Sequence, residues 1–291
     1  MEIRVLRYFL ETAREGNMSR AAERLHISQP TMSKQIKELE TELGAKLFIR
    51  ANFSVRLTDA GMLLRKRAED ILDLVDKTTA EFHALDDVGS GEIFVGAAES
   101  ESVKYFARAV KTIQEQYPGV RCNIFSGNME DVTERLDKGL LDFAIIMSYV
   151  DLSKYNYLAV PASDTWGVIM RKDSPLAKKE AVTLDDLYGL PLICSRQWMD
   201  QDFPQWFEGN TEKLQIVATF NLVYNAAVMV REGIGYAISY DKLADTGEAS
   251  DLCYRPLAGV PESEMYVVWR RYQTFTPVAE LLLDELRRRF A

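Results

Sequence analysis

Residues 17–40 are Asn17-Met18-Ser19-Arg20-Ala21-Ala22-Glu23-Arg24-Leu25-His26-Ile27-Ser28-Gln29-Pro30-Thr31-Met32-Ser33-Lys34-Gln35-Ile36-Lys37-Glu38-Leu39-Glu40. This stretch has the signals of two short helices joined by a three-residue turn. Asn17 is a favourable N-cap for the first helix, and Ser28 is one for the second. Pro30 suits the first turn of the second helix, where its missing N–H needs no partner. Because the small side chains of Ala21 and Ala22 allow two helices to cross closely, the stretch predicts a helix-turn-helix.

The second of these helices has one apolar and one polar face. An apolar residue recurs at steps of four, three and four, which predicts a buried stripe of Met32, Ile36, Leu39 and Leu43. The opposite surface has side chains that can reach base edges and phosphates in a major groove, namely Gln29, Thr31, Ser33, Lys34 and Lys37. A helical hairpin that serves only as scaffold would have the same pattern, so the hairpin alone leaves both interpretations open.

The segment that follows predicts a wing. Residues 44–50 and 55–61 have the pattern of two short strands around a turn at residues 51–54. A strand pair in this place completes a winged helix-turn-helix, which favours DNA reading over a scaffold role.

With these motifs the sequence resembles the LysR-type transcriptional regulators. The matching residues are Ala21-Ala22, Ser28-Gln29-Pro30, Ser33-Lys34-Gln35-Ile36, Leu39-Glu40, Leu43-Gly44, Leu47-Phe48-Ile49-Arg50 and Leu57-Thr58-Asp59-Ala60-Gly61. The wing tip, often basic in this family, is Phe53-Ser54 here, so wing contacts to phosphates are expected to depend on two arginines of the strands. The resemblance implies DNA contacts by Gln29, Pro30, Thr31, Ser33, Lys34, Lys37, Arg50 and Arg56.

Charge is unevenly distributed along the chain, whose 291 residues have a formal net charge of −9. Residues 1–60 hold ten Lys and Arg against eight Asp and Glu, a net of +2, whereas the remainder holds 25 against 36, a net of −11. A weakly positive reading head neutralises phosphates locally, while an acidic body repels non-specific DNA.

Cysteine usage and hydropathy indicate the compartment. Cys122, Cys194 and Cys253 are widely spaced and fit neither a metal site nor a disulfide framework. No apolar run reaches membrane length, and the first residues lack the regions of a secretion signal. We therefore expect reduced cysteines and a cytoplasmic protein.

Residues 58–85 predict a long connecting helix, because no proline occurs there and only Gly61 interrupts good helix formers. A seam at alternating steps of four and three consists of Leu64, Ala68, Ile71, Val75, Thr78, Phe82 and Leu85. Such a seam fits packing on the helix's own domain or pairing with a partner helix. Its charged flanks favour a partner, and the resemblance implies a dimer with contacts at Leu64, Ile71, Val75 and Phe82. Residues 86–91 then predict a hinge.

After the hinge, short apolar strands alternate with helices, as in an α/β domain. Strands are expected at residues 93–97, 121–125, 141–146, 165–170, 184–187, 192–194, 215–221, 235–239 and 264–269, and helices at 103–117, 131–138, 222–231 and 277–290. This order resembles the periplasmic-binding-protein-like effector domain of the same family, which has two lobes joined by two crossover strands.

The expected fold class is α/β overall. It comprises an all-α winged helix-turn-helix DNA-binding domain (1–58), a linker helix that dimerises (59–88) and a two-lobed α/β effector-binding domain (89–291). Lobe I is expected at 91–161 and 265–291, and lobe II at 162–264.

Six polar residues follow predicted strands of this domain. In open α/β folds, ligands lie beyond the carboxyl ends of strands, often at helix N-termini. By this rule and by the resemblance, effector contacts are expected at Ser100, Ser102, Ser126, Ser148, Ser195 and Asn221. Each of them alone is more typical of a simple helix cap. Arg196 is either a partner for an anionic effector or a surface arginine.

Two acidic residues, Glu99 and Glu101, stand where related proteins often have apolar or small residues. Their simplest role is to complement a helix dipole, but they would disfavour a carboxylate effector if they faced the cleft. An aromatic group, interpreted as lobe core with a ligand-stacking wall as the alternative, consists of Trp198, Phe203, Trp206 and Phe207.

An enzyme with an appended DNA-binding head is disfavoured. The only histidines, His26 and His83, lie in the predicted turn and on the connecting helix, and neither a phosphate-binding loop nor zinc-ligand spacing occurs. We expect a dimeric or tetrameric transcriptional regulator with no catalytic residue, metal or cofactor. Its expected partners are double-stranded operator DNA, a small-molecule effector, copies of itself and RNA polymerase, but no membrane.

Overall fold

The N-terminal unit, Met1–Phe82, begins with three helices. The computed structural model describes residues 1–51, 54–84, 89, 91–147 and 151–291. The elements of this part are α1 (Ile3–Glu15), α2 (Met18–Arg24), α3 (Gln29–Leu43), β1 (Phe48–Ala51), β2 (Ser54–Leu57) and α4 (Asp59–Ala84). Strands β1 and β2 pair antiparallel, so the winged helix-turn-helix is confirmed. Phe53 of the wing tip, Leu85 and most of the predicted hinge lie outside the described residues.

Local hydrogen bonds explain the turn between α2 and α3. Asn17 Oδ1 accepts the N–H groups of Ser19 and Arg20 at 2.9 and 3.0 Å and caps α2. Ser28 Oγ accepts the N–H of Thr31 at 3.3 Å and caps α3. Between the helices the chain reverses at His26, whose φ of 55° is left-handed.

The core of the N-terminal unit buries three members of the predicted stripe, Met32, Ile36 and Leu39. The fourth assignment is wrong, because Leu43 is 42% exposed and Glu40 is buried instead. Helix α3 ends at Leu43, and Gly44 turns the chain with a φ of 66°. The returning backbone covers Glu40, so the last turn of α3 buries a carboxylate rather than a leucine.

The C-terminal unit, His83–Ala291, alternates strands and helices. Its first elements are β3 (Glu92–Ala97), α5 (Val103–Gln116), β4 (Arg121–Ser126), α6 (Met129–Asp137), β5 (Phe143–Met147), β6 (Tyr155–Asp164), β7 (Trp166–Arg171) and β8 (Val182–Thr183). The others are β9 (Pro191–Ser195), α7 (Arg196–Gln201), α8 (Phe203–Trp206), β10 (Gln215–Phe220), α9 (Val223–Arg231), β11 (Tyr236–Tyr240), β12 (Leu252–Ala258), β13 (Ser263–Arg270) and α10 (Pro277–Phe290).

These strands form two mixed sheets, each the centre of a lobe. Lobe I contains the order β4-β3-β5-β13-β6, and lobe II contains β10-β9-β11-β7-β12-β8. The chain passes from the first sheet to the second at Thr165, between β6 and β7, and returns between β12 and β13. Parallel pairing of β3 with β4 and β5, and of β9 with β10 and β11, brings their carboxyl ends to the facing edges where a ligand site is expected.

Several local assignments in this unit differ from expectation, among them the absence of a predicted strand and the presence of two strands that were not predicted. Residues 184–187 do not form a strand, because the Asp186 carboxylate accepts the N–H of Thr183 at 2.9 Å and stabilises a 3-10 helix at Asp185–Leu187. Strands β6 and β12 were not predicted, since each contains a proline, Pro161 or Pro256. Strand β6 tolerates its proline because it lies at the edge of its sheet.

Candidate nucleic-acid interface and interlobe cleft

Helix α3 turns its polar face to solvent. The side chains of Gln29, Pro30, Thr31, Lys34 and Lys37 are exposed, and Ser33 is half-buried beside them. Lys34 Nζ lies 3.8 Å from the Glu38 carboxylate, too far for a strong ion pair. The predicted reading residues of α3 therefore share one accessible surface.

Arg50 of the wing reaches back to this surface. Its Nη1 donates to Ser33 Oγ at 3.2 Å, and its Nη2 lies 3.9 Å from the Glu40 carboxylate. Arg56 is exposed on the neighbouring strand β2. Arg50 thus extends the basic surface of α3 onto the wing, whereas Arg56 lies opposite Ile49 and therefore on the other face of the strand pair.

The buried carboxylate of Glu40 positions the wing. Its Oε1 accepts the backbone N–H groups of Leu47 and Phe48 at 2.9 and 3.3 Å, and Oε2 accepts from Lys46 Nζ at 3.1 Å. Burial opposes ionisation, but the hydrogen bonds from Leu47, Lys46 and Phe48 outweigh it and lower the pKa of Glu40. Glu40 therefore remains charged and holds the start of β1 against α3. Sequence reasoning missed this role because Glu40 stood out only as part of a motif.

The predicted dimer contacts of α4 differ in their surroundings. Leu64 is buried with Ala68 and Leu72 in the core of the N-terminal unit, so the expectation that Leu64 faces a partner is corrected. The reason is that the first turns of α4 pack on their own domain. Ile71 and Val75 are half-buried, and Phe82 is 70% exposed.

Between lobes I and II lie three adjoining cavities that share Asn128 and Gln197 in their lining. The inner cavity has a volume of about 40 Å³ and is lined by Glu99, Ser195, Trp198, Phe220 and Asn221 among others. The middle cavity measures about 300 Å³ and also contains Ser195 and Asn221. The outer cavity measures about 510 Å³. Two of the six predicted effector residues are thus brought together.

Ser100 and Ser102 are engaged elsewhere and do not line these cavities. Both hydroxyl groups donate to the carboxylate of Asp164, the bond from Ser102 Oγ measuring 3.1 Å. Burial raises the pKa of Asp164 although both hydrogen bonds favour its ionised form. Ser126 is exposed at the end of β4 and outside the cavity linings, and Ser148 lies outside the described residues.

The two acidic residues before α5 have separate partners. Glu99 Oε2 accepts the N–H of Val223, the first residue of α9, at 2.6 Å. Glu101 pairs with Lys104 within lobe I at 3.0 Å. Glu99 therefore faces the cleft and bridges the lobes, whereas Glu101 stays beside α5.

Asn128 and Gln197 were not anticipated as cleft residues. Asn128 caps α6 by accepting the N–H of Asp131 at 2.8 Å, but the helix was expected to begin only at residue 131. Gln197 Oε1 accepts the N–H of Met129 at 3.3 Å, from the opposite lobe. Nothing in the local sequence signals this contact.

Arg196 lines the middle and outer cavities. The outer cavity is mixed in charge, with the second cation Lys154 and the carboxylates of Glu130, Asp137, Asp151 and Asp200. The aromatic group belongs mainly to the core of lobe II, since Trp198, Phe203 and Phe207 are buried. Trp198 also contributes to the lining of the inner cavity.

Among the described residues, no group of three or more His, Cys, Asp or Glu side chains is placed to hold a metal ion. None of the described helices is both long and apolar enough to cross a membrane.

Comparison with known families identifies both units. Residues 3–62 match the model of the bacterial regulatory helix-turn-helix protein, lysR family, and residues 86–291 match the LysR substrate binding domain. The chain belongs to the LysR family of transcriptional regulators. Members of this family are DNA-binding transcriptional regulators rather than enzymes, and the substrate binding domain implies that a small molecule modulates this LysR-type regulator.

Individual LysR-type regulators align along most of the chain. The HTH-type transcriptional regulator YtlI of Bacillus subtilis (strain 168) is 31% identical over 244 residues, which cover 82% of this chain and 77% of YtlI. A probable RuBisCO transcriptional regulator of Synechocystis sp. is 30% identical over 240 residues, 80% of this chain and 69% of that protein. The crystal structure of full-length CbnR complexed with its target DNA is 20% identical, covers 99% of this chain and 100% of CbnR, and has the same fold with a TM-score of 0.77.

Proposed function

We propose that this LysR-type regulator binds its operator with α3 and the wing, and that a small molecule in the interlobe cleft alters this binding. The observation that carries the proposal is the exposed polar face of α3 beside a wing held by a buried carboxylate. The same proposal assigns DNA binding to residues 1–58, the linker helix to residues 59–88 and effector binding to residues 89–291.

Each side chain of the interface has a chemical role in this proposal. Gln29, at the start of α3, has an amide that fits the bidentate edge of adenine. Lys34 and Lys37 neutralise phosphates, and Arg50 and Arg56 add phosphate contacts from the wing. Pro30 and Thr31, which are exposed on α3, and Ser33, which is half-buried beside them, complete the proposed DNA contacts. The fold shared with CbnR, whose structure contains target DNA, supports this arrangement.

Dimerisation through α4 would place two such reading surfaces on a near-palindromic site. Ile71, Val75 and Phe82 form the proposed contact, because they remain at least partly exposed. The proposal also includes a tetramer built from two such dimers. It further includes RNA polymerase as a partner and a cytoplasmic location.

Effector control acts through Ser195, Asn221 and their neighbours in the cleft. A ligand that binds one arrangement of the lobes more tightly shifts the population toward that arrangement. The resulting change in operator affinity is limited to the ligand's differential affinity for the two states.

The test is operator selection followed by fluorescence anisotropy with single-base variants of the selected site. Gln29→Ala is expected to lose discrimination at one base pair, worth about 1–3 kcal/mol, while other positions keep theirs. Gln35→Ala is the matched control, because the Gln35 side-chain amide already donates a hydrogen bond to the Glu38 carboxylate at 2.9 Å. Equal loss on all sequences would remove Gln29 from base reading, and failure to select any sequence would overturn the proposal.

A further inference from the structure

Two side chains bridge the interlobe cleft, and each reaches the first N–H of a helix in the opposite lobe. Glu99 of lobe I accepts from Val223 at the start of α9, at 2.6 Å. Gln197 of lobe II accepts from Met129 at the start of α6, at 3.3 Å. The first N–H of each of these helices is therefore satisfied by the chain itself.

The Glu99 carboxylate occupies the place at α9 that would otherwise attract an anion. Helix N-termini favour negative charge because their first N–H groups lack intrahelical acceptors. At the N-cap of α9 stands Leu222, which has no side-chain acceptor, so the acceptor comes from the other lobe. A ligand carboxylate at this point would have to displace Glu99 and would meet its negative charge.

Two hydroxyl groups that follow the first strand are also engaged within the chain. Ser100 and Ser102, the residues expected to receive acceptor groups of an effector, both donate to the buried carboxylate of Asp164. The carboxylate of Asp164 in lobe I and that of Glu99 at α9 therefore accept the hydrogen bonds that a ligand anion would otherwise accept.

The lining of the inner cavity favours a cation. Among the described residues that line this cavity, Glu99 alone has a formal charge. Its Oε1 has no hydrogen-bond partner in the described part of the chain. Trp198 and Phe220 offer aromatic surface in the same lining, and aromatic rings attract ammonium groups.

We infer that the effector of this cleft is an amine that presents its ammonium group to Glu99 and its apolar part to Trp198 and Phe220, and that carboxylates without an amine are rejected. The inference rests on the proposed function, in which the cleft is the effector site. Glu99 then requires a cationic group on the part of the ligand in the inner cavity, while the middle cavity of about 300 Å³, which Arg196 also lines, accommodates the rest of the ligand.

The experiment uses the full-length protein and two probes of similar shape and opposite charge, benzylamine and benzoate, in isothermal titration calorimetry at neutral pH and equal ionic strength. Benzylamine is expected to bind at least about tenfold more tightly than benzoate, as expected for one charge-assisted hydrogen bond. Glu99→Gln is expected to abolish this preference, because the amide keeps an acceptor for the Val223 N–H but loses the charge. Glu101→Gln is the matched control and is expected to keep the preference, since Glu101 is paired with Lys104.

Equal or tighter binding of benzoate by the wild-type protein, or no binding of benzylamine at millimolar concentration, would overturn the inference. So would a preference that survives in Glu99→Gln. The comparison of benzylamine with benzoate on the wild-type protein tests the inference even if Glu99→Gln fails to fold. Operator binding is measured on the same preparation: if it persists while the amine preference is absent, only this inference fails, whereas loss of operator binding contradicts the proposed function.

Discussion

Glu40 Oε1 accepts the backbone N–H of Leu47 at 2.9 Å, and this hydrogen bond holds the start of the first wing strand against helix α3. The same oxygen accepts from Phe48, and the carboxylate is almost fully buried. The separation between α3 and the wing is therefore set inside the N-terminal unit, before any contact with DNA.

Replacement of Glu40 is expected to loosen this connection. Glu40→Ala leaves two backbone N–H groups without their acceptor, which should lower the free energy of unfolding of the N-terminal unit by about 1–3 kcal/mol. Urea denaturation of the full chain, followed by circular dichroism, measures the loss. Glu42→Ala is the control, because the Glu42 side chain is exposed and should matter little. An unchanged transition in Glu40→Ala would contradict the role assigned to this carboxylate.

Lys34 should contribute to DNA affinity through a phosphate. Lys34→Ala is expected to weaken binding to all sequences alike and to reduce the slope of log affinity against log salt by about one unit. Anisotropy titrations over a range of salt concentrations measure the slope. Lys111→Ala, an exposed lysine of α5, serves as control. A slope equal to that of the wild-type protein would place Lys34 outside the interface.

Substitutions at two positions of α4 should affect dimerisation and folding stability differently. Phe82→Asp is expected to yield monomers in analytical ultracentrifugation whose circular dichroism spectrum matches that of the wild-type protein, because Phe82 is largely exposed within its own chain. Leu64→Ala is expected to cost about 2–4 kcal/mol of stability and to leave the oligomer intact, since Leu64 packs in its own domain. A dimer that persists in Phe82→Asp would move the interface elsewhere.

Asp202, between α7 and α8, should make stability depend on pH. Its Oδ2 is buried without a hydrogen-bond partner among the described residues, and burial raises the pKa of Asp202 to about 6. Because the unfolded pKa is about 3.9, the folded state binds the proton more tightly, and stability falls as pH rises from about 4 to about 6. Asp202→Asn should therefore raise the free energy of unfolding at pH 7 by up to about 3 kcal/mol.

Thermal unfolding at pH 4 and pH 7 measures this effect. The gain from Asp202→Asn should largely vanish at pH 4, where the carboxyl is already protonated in the folded state. Asp200→Asn, at an exposed position of α7, should give no comparable gain at either pH. The same gain at both pH values would show that ionisation of Asp202 is not its cause.

Prediction from sequence succeeded where the signal is local. Asn17 and Ser28 accept N–H groups two or three residues away, so composition and spacing alone locate the starts of α2 and α3. Helix α10 has the bounds expected from its apolar period. Strand β6 escaped prediction because Pro161 is acceptable only at a sheet edge, and edge position is a property of the assembled sheet.

In the cleft, by contrast, the type of a polar residue did not reveal its hydrogen-bond partner. Ser100 and Ser102 follow a strand as a ligand site requires, but Asp164, more than sixty residues later, accepts both hydroxyl hydrogens. Glu99 was recognised as unusual, yet its partner Val223 lies 124 residues away. Sequence reasoning could state what a cleft-facing Glu99 would do, but not that it faces the cleft.

The sequence by itself determined the family, the helix-turn-helix with its wing, and the succession of strands and helices, because these depend on caps, turns and periodicity within a few residues. Tertiary structure alone decided that Glu40 is buried, that Leu64 packs inward and that Glu99 bridges two lobes. The physical reason is that burial and hydrogen-bond pairing between distant segments arise only when those segments are packed together.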